Sequence, residues 1–136
     1  MTKIKLLDAN CAPFKKHDKD AGLDLRVRSR TRIWPGRTYR IPTGIAVGIP
    51  VGYVGDIRPR RSRVEGQLLI QGTIDPGYTG EVFMLVTNLS DDNFFLDAGE
   101  RIAQLVVMKT DTDIEYVDSL DPSERGDGGF GHTGRM

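Results

Sequence analysis

Three stretches of the chain hold residue types at spacings suited to handling a phosphorylated nucleotide. In Gly72-Thr73-Ile74-Asp75-Pro76-Gly77-Tyr78-Thr79-Gly80-Glu81-Val82, Pro76 presets φ for a tight turn and Gly77 accepts the positive φ of its type II form. A carboxylate fixed at that rim, Asp75, could take a proton from water as a general base, while the Tyr78 ring offers a flat face to a sugar. The alternative is an ordinary hairpin whose Asp caps its turn. The run Arg58-Pro59-Arg60-Arg61-Ser62-Arg63 carries four guanidinium forks that suit phosphate oxygens, or else a solvated basic edge that discourages strand pairing. The tail, Ser123-Glu124-Arg125-Gly126-Asp127-Gly128-Gly129-Phe130-Gly131-His132-Thr133-Gly134, could turn successive backbone N–H groups toward phosphate while Arg125 adds a charged fork. Phe130, with glycine on both sides, could lie on a base for ~1–3 kcal/mol. Composition alone would make the same tail a flexible terminus. It is not a Walker A loop, because no Gly-Lys-Ser or Gly-Lys-Thr follows the glycines.

Rigid elements must hold such residues in place, and the sequence predicts strands. Strong helical periodicity is absent, and short β-branched and aromatic runs recur between glycine, proline and Asp/Asn punctuation. Strands are expected at 4–7, 23–27, 37–41, 45–49, 53–58, 68–74, 81–87, 94–96, 102–108 and 114–117, with one helical turn over Ser62-Arg63-Val64-Glu65. So many strands without interleaved helices point to a sandwich, barrel or jelly roll. Two plainer segments lie on strands, Ala21-Gly22-Leu23-Asp24-Leu25 and Gly99-Glu100-Arg101-Ile102-Ala103-Gln104-Leu105. In the first, glycine permits close backbone approach; in the second, Gln104 stays polar and available.

With 136 residues, 28% charged and 38% hydrophobic, the chain has the size and composition of one globular domain. Residues 1–120 are expected to form the β domain, and 121–136 a glycine-rich arm of that same domain. The formal net charge is zero, so no global field draws the protein to nucleic acid or an anionic membrane, and anion binding has to be local. A single cysteine, Cys11, outside every segment above, allows no intrachain disulfide, and the N-terminus lacks a signal-like apolar stretch. A cytoplasmic setting is the expectation. His17 and His132 do not stand at a metal-ligand spacing, so zinc is not expected.

Taken in order, these five segments resemble the five motifs of the trimeric dUTPases. Ala21 to Leu25 resembles the first, Pro59-Arg60-Arg61-Ser62 the second, Gly72 to Gly80 the third, Gly99 to Gln104 the fourth and Arg125 to Gly134 the fifth; Pro42-Thr43-Gly44 also fits the family pattern. The resemblance implies an all-β jelly-roll homotrimer that hydrolyses dUTP to dUMP and pyrophosphate. That reaction limits uracil incorporation into DNA and supplies dUMP for thymidylate synthesis. It implies three shared active sites, each closed by a neighbour's tail. Asp75 would activate the water attacking the α-phosphorus, and Tyr78 would stack on deoxyribose and exclude a 2′-hydroxyl. Ser62 and Arg60 or Arg61 would hold the triphosphate, Gln104 a phosphate oxygen and Arg125 the γ-phosphate. Phe130 would cover uracil, and Gly72, Ile74, Gly129, Gly131, His132 and Thr133 complete the implied substrate set. Mg²⁺ would ride on the triphosphate, touching the protein only through water at Asp24.

This sequence departs from the family pattern at three places. An extra arginine stands in the second motif, leaving Arg60 and Arg61 both open, with Arg61 the slight preference. The 63–72 segment is short, so that Gln67 or Gln71 could face uracil, or backbone groups could do most of the reading. His132 stands where a serine is common, which could alter γ-phosphate contacts or add pH dependence near the ordinary histidine pKa of ~6.5. Two other functions share the scaffold: deamination of dCTP, which needs a glutamate on the strand after the hairpin where Val82 to Thr87 offers none, and nucleotide sensing or protein binding. The tail is expected to be mobile until ligand contacts offset the entropy that its glycines lose on ordering.

Overall fold

The computed structural model describes residues 1–122. The architecture is all-β, as expected. It comprises β1 (Lys3–Leu6), β2 (Gly22–Arg26), β3 (Thr31–Ile33), β4 (Thr38–Gly48), β5 (Tyr53–Pro59), β6 (Leu68–Ile74), β7 (Glu81–Asn88), β8 (Phe94–Leu96) and β9 (Arg101–Lys109). Seven strands form one antiparallel sheet in the order β1-β4-β7-β6-β5-β9-β2, and β3 pairs with β8 as a separate ribbon. The sheet curls until its far edges meet, and the Arg28 N–H, just beyond β2, donates to the Pro42 carbonyl of β4 at 3.0 Å.

Alternation along the strands decides what faces inward. In β7, Val82, Met84, Val86 and Asn88 are buried while Glu81, Phe83, Leu85 and Thr87 face outward. The inward residues meet Leu25, Ile33, Ile41 and Ile102 in one core, each such side chain contributing ~1.5–3 kcal/mol. The buried Asn88 donates from Nδ2 to the carbonyls of Ile33 (3.3 Å) and Asp92 (2.8 Å), and its Oδ1 accepts from the Ser90 N–H (2.9 Å) and hydroxyl (2.7 Å). Asn88→Ala strips these partners inside the core and is expected to cost about 2–3 kcal/mol, read as a lower urea midpoint at unchanged slope.

Local structure differs from the sequence expectation at four places. The runs 37–41 and 45–49 are one strand, β4, because a bulge accommodates Pro42, which has no N–H to donate. Pro42 pairs with Phe83 and Ala46 with Glu81, so four steps on β4 match two on β7, with Gly44 at φ +75°. The short β3 and a 3-10 turn at Ala9–Cys11 lack enough residues to show a period. Ser62 to Glu65 forms turns with no helix, held by Glu65 N–H to Ser62 O (3.1 Å) and Gln67 N–H to Val64 O (3.0 Å). Residues 114–117 are extended and pair with no strand among the described residues; Ile114 and Tyr116 are 80% and 96% exposed. No described helix is long and apolar enough to cross a membrane.

Candidate functional site

The β6–β7 hairpin fixes the first group of predicted residues. Its turn is closed by the Tyr78 N–H to the Asp75 carbonyl at 3.3 Å, and Gly77 takes φ +92°, the positive value a type II turn demands at that position. Asp75 stands exposed at the rim. Tyr78 is 42% exposed, with its hydroxyl anchored to the Glu81 carbonyl at 2.6 Å. Tyr78, Gly72 and Ile74 line one cleft with Arg40 and Phe83, where the Arg40 guanidinium lies 3.8 Å over the Phe83 ring. The Ile74 side chain is buried in the core, so this residue can offer a ligand only its main chain. At Gly72 a Cβ would stand 2.8 Å from the Ile57 Cδ1, and the bare backbone lets β6 close on β5.

A second cleft gathers Gly22, Asp24, Arg60 and Gln104, with Lys16 and Phe14 at its edge. The Asp24 carboxylate lies between Arg60 Nε and Arg101 Nη1, each at 3.1 Å, and the Arg60 Nη1 also donates to the Arg101 carbonyl at 3.1 Å. Of the four arginines in the basic run, Arg58 pairs with Asp56, Arg60 with Asp24 and Arg63 with Glu100. The Glu100 hydrogen bond raises the Arg63 pKa further above its ordinary value. Arg61 is exposed and has no ion pair among the described residues. Beside it, the Ser62 Oγ accepts from the Val64 N–H at 3.2 Å. Gln104 lies flat against β2 because a Cβ on Gly22 would sit 1.9 Å from its Oε1; its Nε2 donates to the Pro59 carbonyl at 3.3 Å. Gly22→Ala must push Gln104 aside, and kcat/KM for any reaction that uses this cleft is expected to fall by roughly 10–100-fold with little loss of melting temperature.

A family model described as dUTPase matches residues 10–134. The chain belongs to the dUTPase family. It is 42% identical over 97% of its length to the deoxyuridine 5′-triphosphate nucleotidohydrolase of Syntrophotalea carbinolica, covering 95% of that protein. It is 40% identical over 97% of its length to the enzyme of the same name from Finegoldia magna, covering 99% of it. The G164S mutant of the Staphylococcus bacteriophage 80alpha dUTPase, solved with dUpNHpp, superposes with a TM-score of 0.84 at 30% identity, covering 98% of each chain.

Against the dUTPase motifs, the structure brings the first, second and fourth together and sets the third apart. Gly55 at the start of β5 pairs with Ile74, beside the Asp75 rim, whereas Pro59 at its end pairs with Ala103, beside Arg60 and Gln104. Four residue steps along the strand separate the two pairings, about 13 Å at ~3.3 Å per residue. The fifth-motif residues Arg125, Gly129, Phe130, Gly131, His132 and Thr133, and the expected mobility of that tail, lie outside the described residues. Neither Gln67 nor Gln71 lines the hairpin cleft. Sequence reasoning missed Arg28 and Glu81, whose side chains meet at 3.1 Å across 53 positions, and Arg101 as the second partner of Asp24. Outward alternation at Glu81 was the one available hint. Cys11 is buried, and burial followed by the nearby Asp8 charge raises its pKa, so the thiol stays protonated and unreactive at neutral pH.

Proposed function

We propose that the protein hydrolyses dUTP to dUMP and pyrophosphate at sites shared between three copies of the chain. The observation that carries this reading is the hairpin rim, where an exposed carboxylate and an anchored tyrosine stand together on a rigid turn. Asp75 accepts a proton from water as that water attacks the α-phosphorus; the bond to the bridging oxygen breaks and pyrophosphate leaves. Tyr78 packs on the deoxyribose and leaves no room for a 2′-hydroxyl. Arg61, the arginine of the basic run with no ion pair among the described residues, and Ser62 hold the triphosphate, with Gln104 on a phosphate oxygen. From the tail, Arg125 takes the γ-phosphate and Phe130 covers uracil. In-line attack needs this positioning and charge neutralisation and no covalent nucleophile.

The separation of the half-sites within a chain supports sharing. Apolar surface supports it: Leu69 and Leu85 are 47% and 41% exposed on the outer face of β6 and β7, and Ile114, Tyr116 and Leu120 are bare beyond β9. Such surface on a domain this small marks a partner, and a second and third copy of the chain fit it. The donor set also suits magnesium carried by substrate. The described residues hold no acidic or His/Cys cluster for an ion, and Asp24, already between two arginines, can reach a hydrated ion only through water. When bound, the ion supplies charge neutralisation on the phosphates.

Deamination finds no support in the site. Glu81, the one acid on β7, is already engaged by Arg28 and the Gly44 N–H. The test is pyrophosphate release from dUTP, dCTP, dTTP and UTP with Mg²⁺, with nucleotide products identified. Release from dUTP alone supports the proposal; uracil nucleotides from dCTP mean deamination, and silence with every substrate means a nucleotide-sensing or protein-binding role.

A further inference from the structure

The tyrosine read as the sugar wall is tied to the main chain of a residue whose own side chain is clamped. The Tyr78 hydroxyl donates to the main-chain carbonyl of Glu81 at 2.6 Å. The Glu81 side chain is itself held on two sides: Arg28 Nη1 lies 3.2 and 3.1 Å from its two oxygens, and the Gly44 N–H donates to its Oε2 at 2.9 Å. The carboxylate is only 18% exposed. Arg28 is fixed in turn by its own N–H to the Pro42 carbonyl at 3.0 Å and by Asp8, 3.5 Å from its Nε. The β4 bulge makes the Gly44 N–H available, because it turns the backbone out of the ladder at φ +75°. No side chain fits there, since a Cβ would stand 2.6 Å from the Cys11 Sγ.

We propose that Glu81 is a positioning residue for sugar selection: clamped by Arg28 and the Gly44 N–H, it sets the height of the Tyr78 ring over the deoxyribose. The inference rests on the reading of Tyr78 as the sugar wall. An outward glutamate on a strand edge needs neither a dedicated arginine nor a bulge N–H to stay soluble, and a core function would not link it to an exposed ring. Gly80 completes the device, because a Cβ there would come within 2.8 Å of the Tyr78 hydroxyl. The space beside the ring is kept empty, and among the described residues the carbonyl of Glu81 is the ring's hydrogen-bonded anchor.

The experiment measures kcat/KM for dUTP and UTP in the wild type, Glu81→Ala, Glu81→Gln and Tyr78→Leu, with melting curves for each. Glu81→Ala releases both holds, and the dUTP/UTP ratio is expected to fall about tenfold or more. Glu81→Gln still accepts from the Gly44 N–H and is expected to keep the ratio within about threefold of wild type, a rescue that stability alone would not produce. A wild-type ratio in Glu81→Ala, with the ratio lost in Tyr78→Leu, overturns the clamp and leaves the sugar wall standing. A wild-type ratio in Tyr78→Leu overturns the wall and the clamp with it. Should Glu81→Ala not fold, Tyr78→Phe reads the same link by deleting the hydroxyl alone: a lowered ratio supports the clamp, and an unchanged one overturns it.

Discussion

Replacing Asp75 by Asn is expected to lower kcat for dUTP by about 10³-fold, within the 10²–10⁴-fold that a positioned general base contributes, while KM changes by less than about threefold. The loss corresponds to about 4 kcal/mol of activation free energy. Asn keeps the size and turn-capping ability of Asp, so the hairpin, its Tyr78-to-Asp75 main-chain bond and the Gly77 conformation all survive. What disappears is the acceptor for a proton. Single-turnover pyrophosphate release separates the chemical step from product release. A kcat within tenfold of wild type would show that another group takes the proton, and an equal loss in binding of a nonhydrolysable dUTP analogue would show that Asp75 holds substrate instead.

The second large effect is complementation between two dead proteins. On the proposed reading Asp75→Asn disables the hairpin half of a site and Arg61→Ala the phosphate half, and each variant alone is expected to retain under ~1% of wild-type activity. If each site draws its halves from different chains, mixing the two variants in denaturant and refolding at equal ratio places two intact halves together in about a quarter of the sites. Activity should therefore rise to roughly a quarter of wild type, far above either parent. If both halves came from one chain, no mixture would recover anything. Gel filtration of the mixture shows whether trimers have reformed, so that failed assembly is not mistaken for an unshared site.

Much of the site was legible because each of its parts is a local device. Pro76-Gly77 specifies its turn from two adjacent residues, and the structure places Gly77 at the positive φ that the turn requires. The four arginines were legible as an anion-seeking run but not as individuals. Arg58, Arg60 and Arg63 find Asp56, Asp24 and Glu100, two of them distant in sequence, and only the folded chain leaves Arg61 over. Arg28 and Glu81 were illegible for the same reason, since their meeting depends on the curl of the sheet and a two-residue bulge. In the fold, strands of five or more residues announced themselves through alternation. The three-residue β3 could not, and the 114–117 run carries strand-like residues with no strand beside it.

The separation of the two half-sites along β5 also bears on when this chemistry can begin. If the sites are shared as proposed, the carboxylate rim and the phosphate cradle of a newly made chain serve different sites, and it emerges without the power to cleave dUTP. Hydrolysis becomes a property of encounter, and its rate per chain should collapse on dilution below the concentration at which copies find one another. On the proposed sharing, the distance that keeps the two ends of one strand apart would act as a check that only a finished assembly touches the cell's nucleotides.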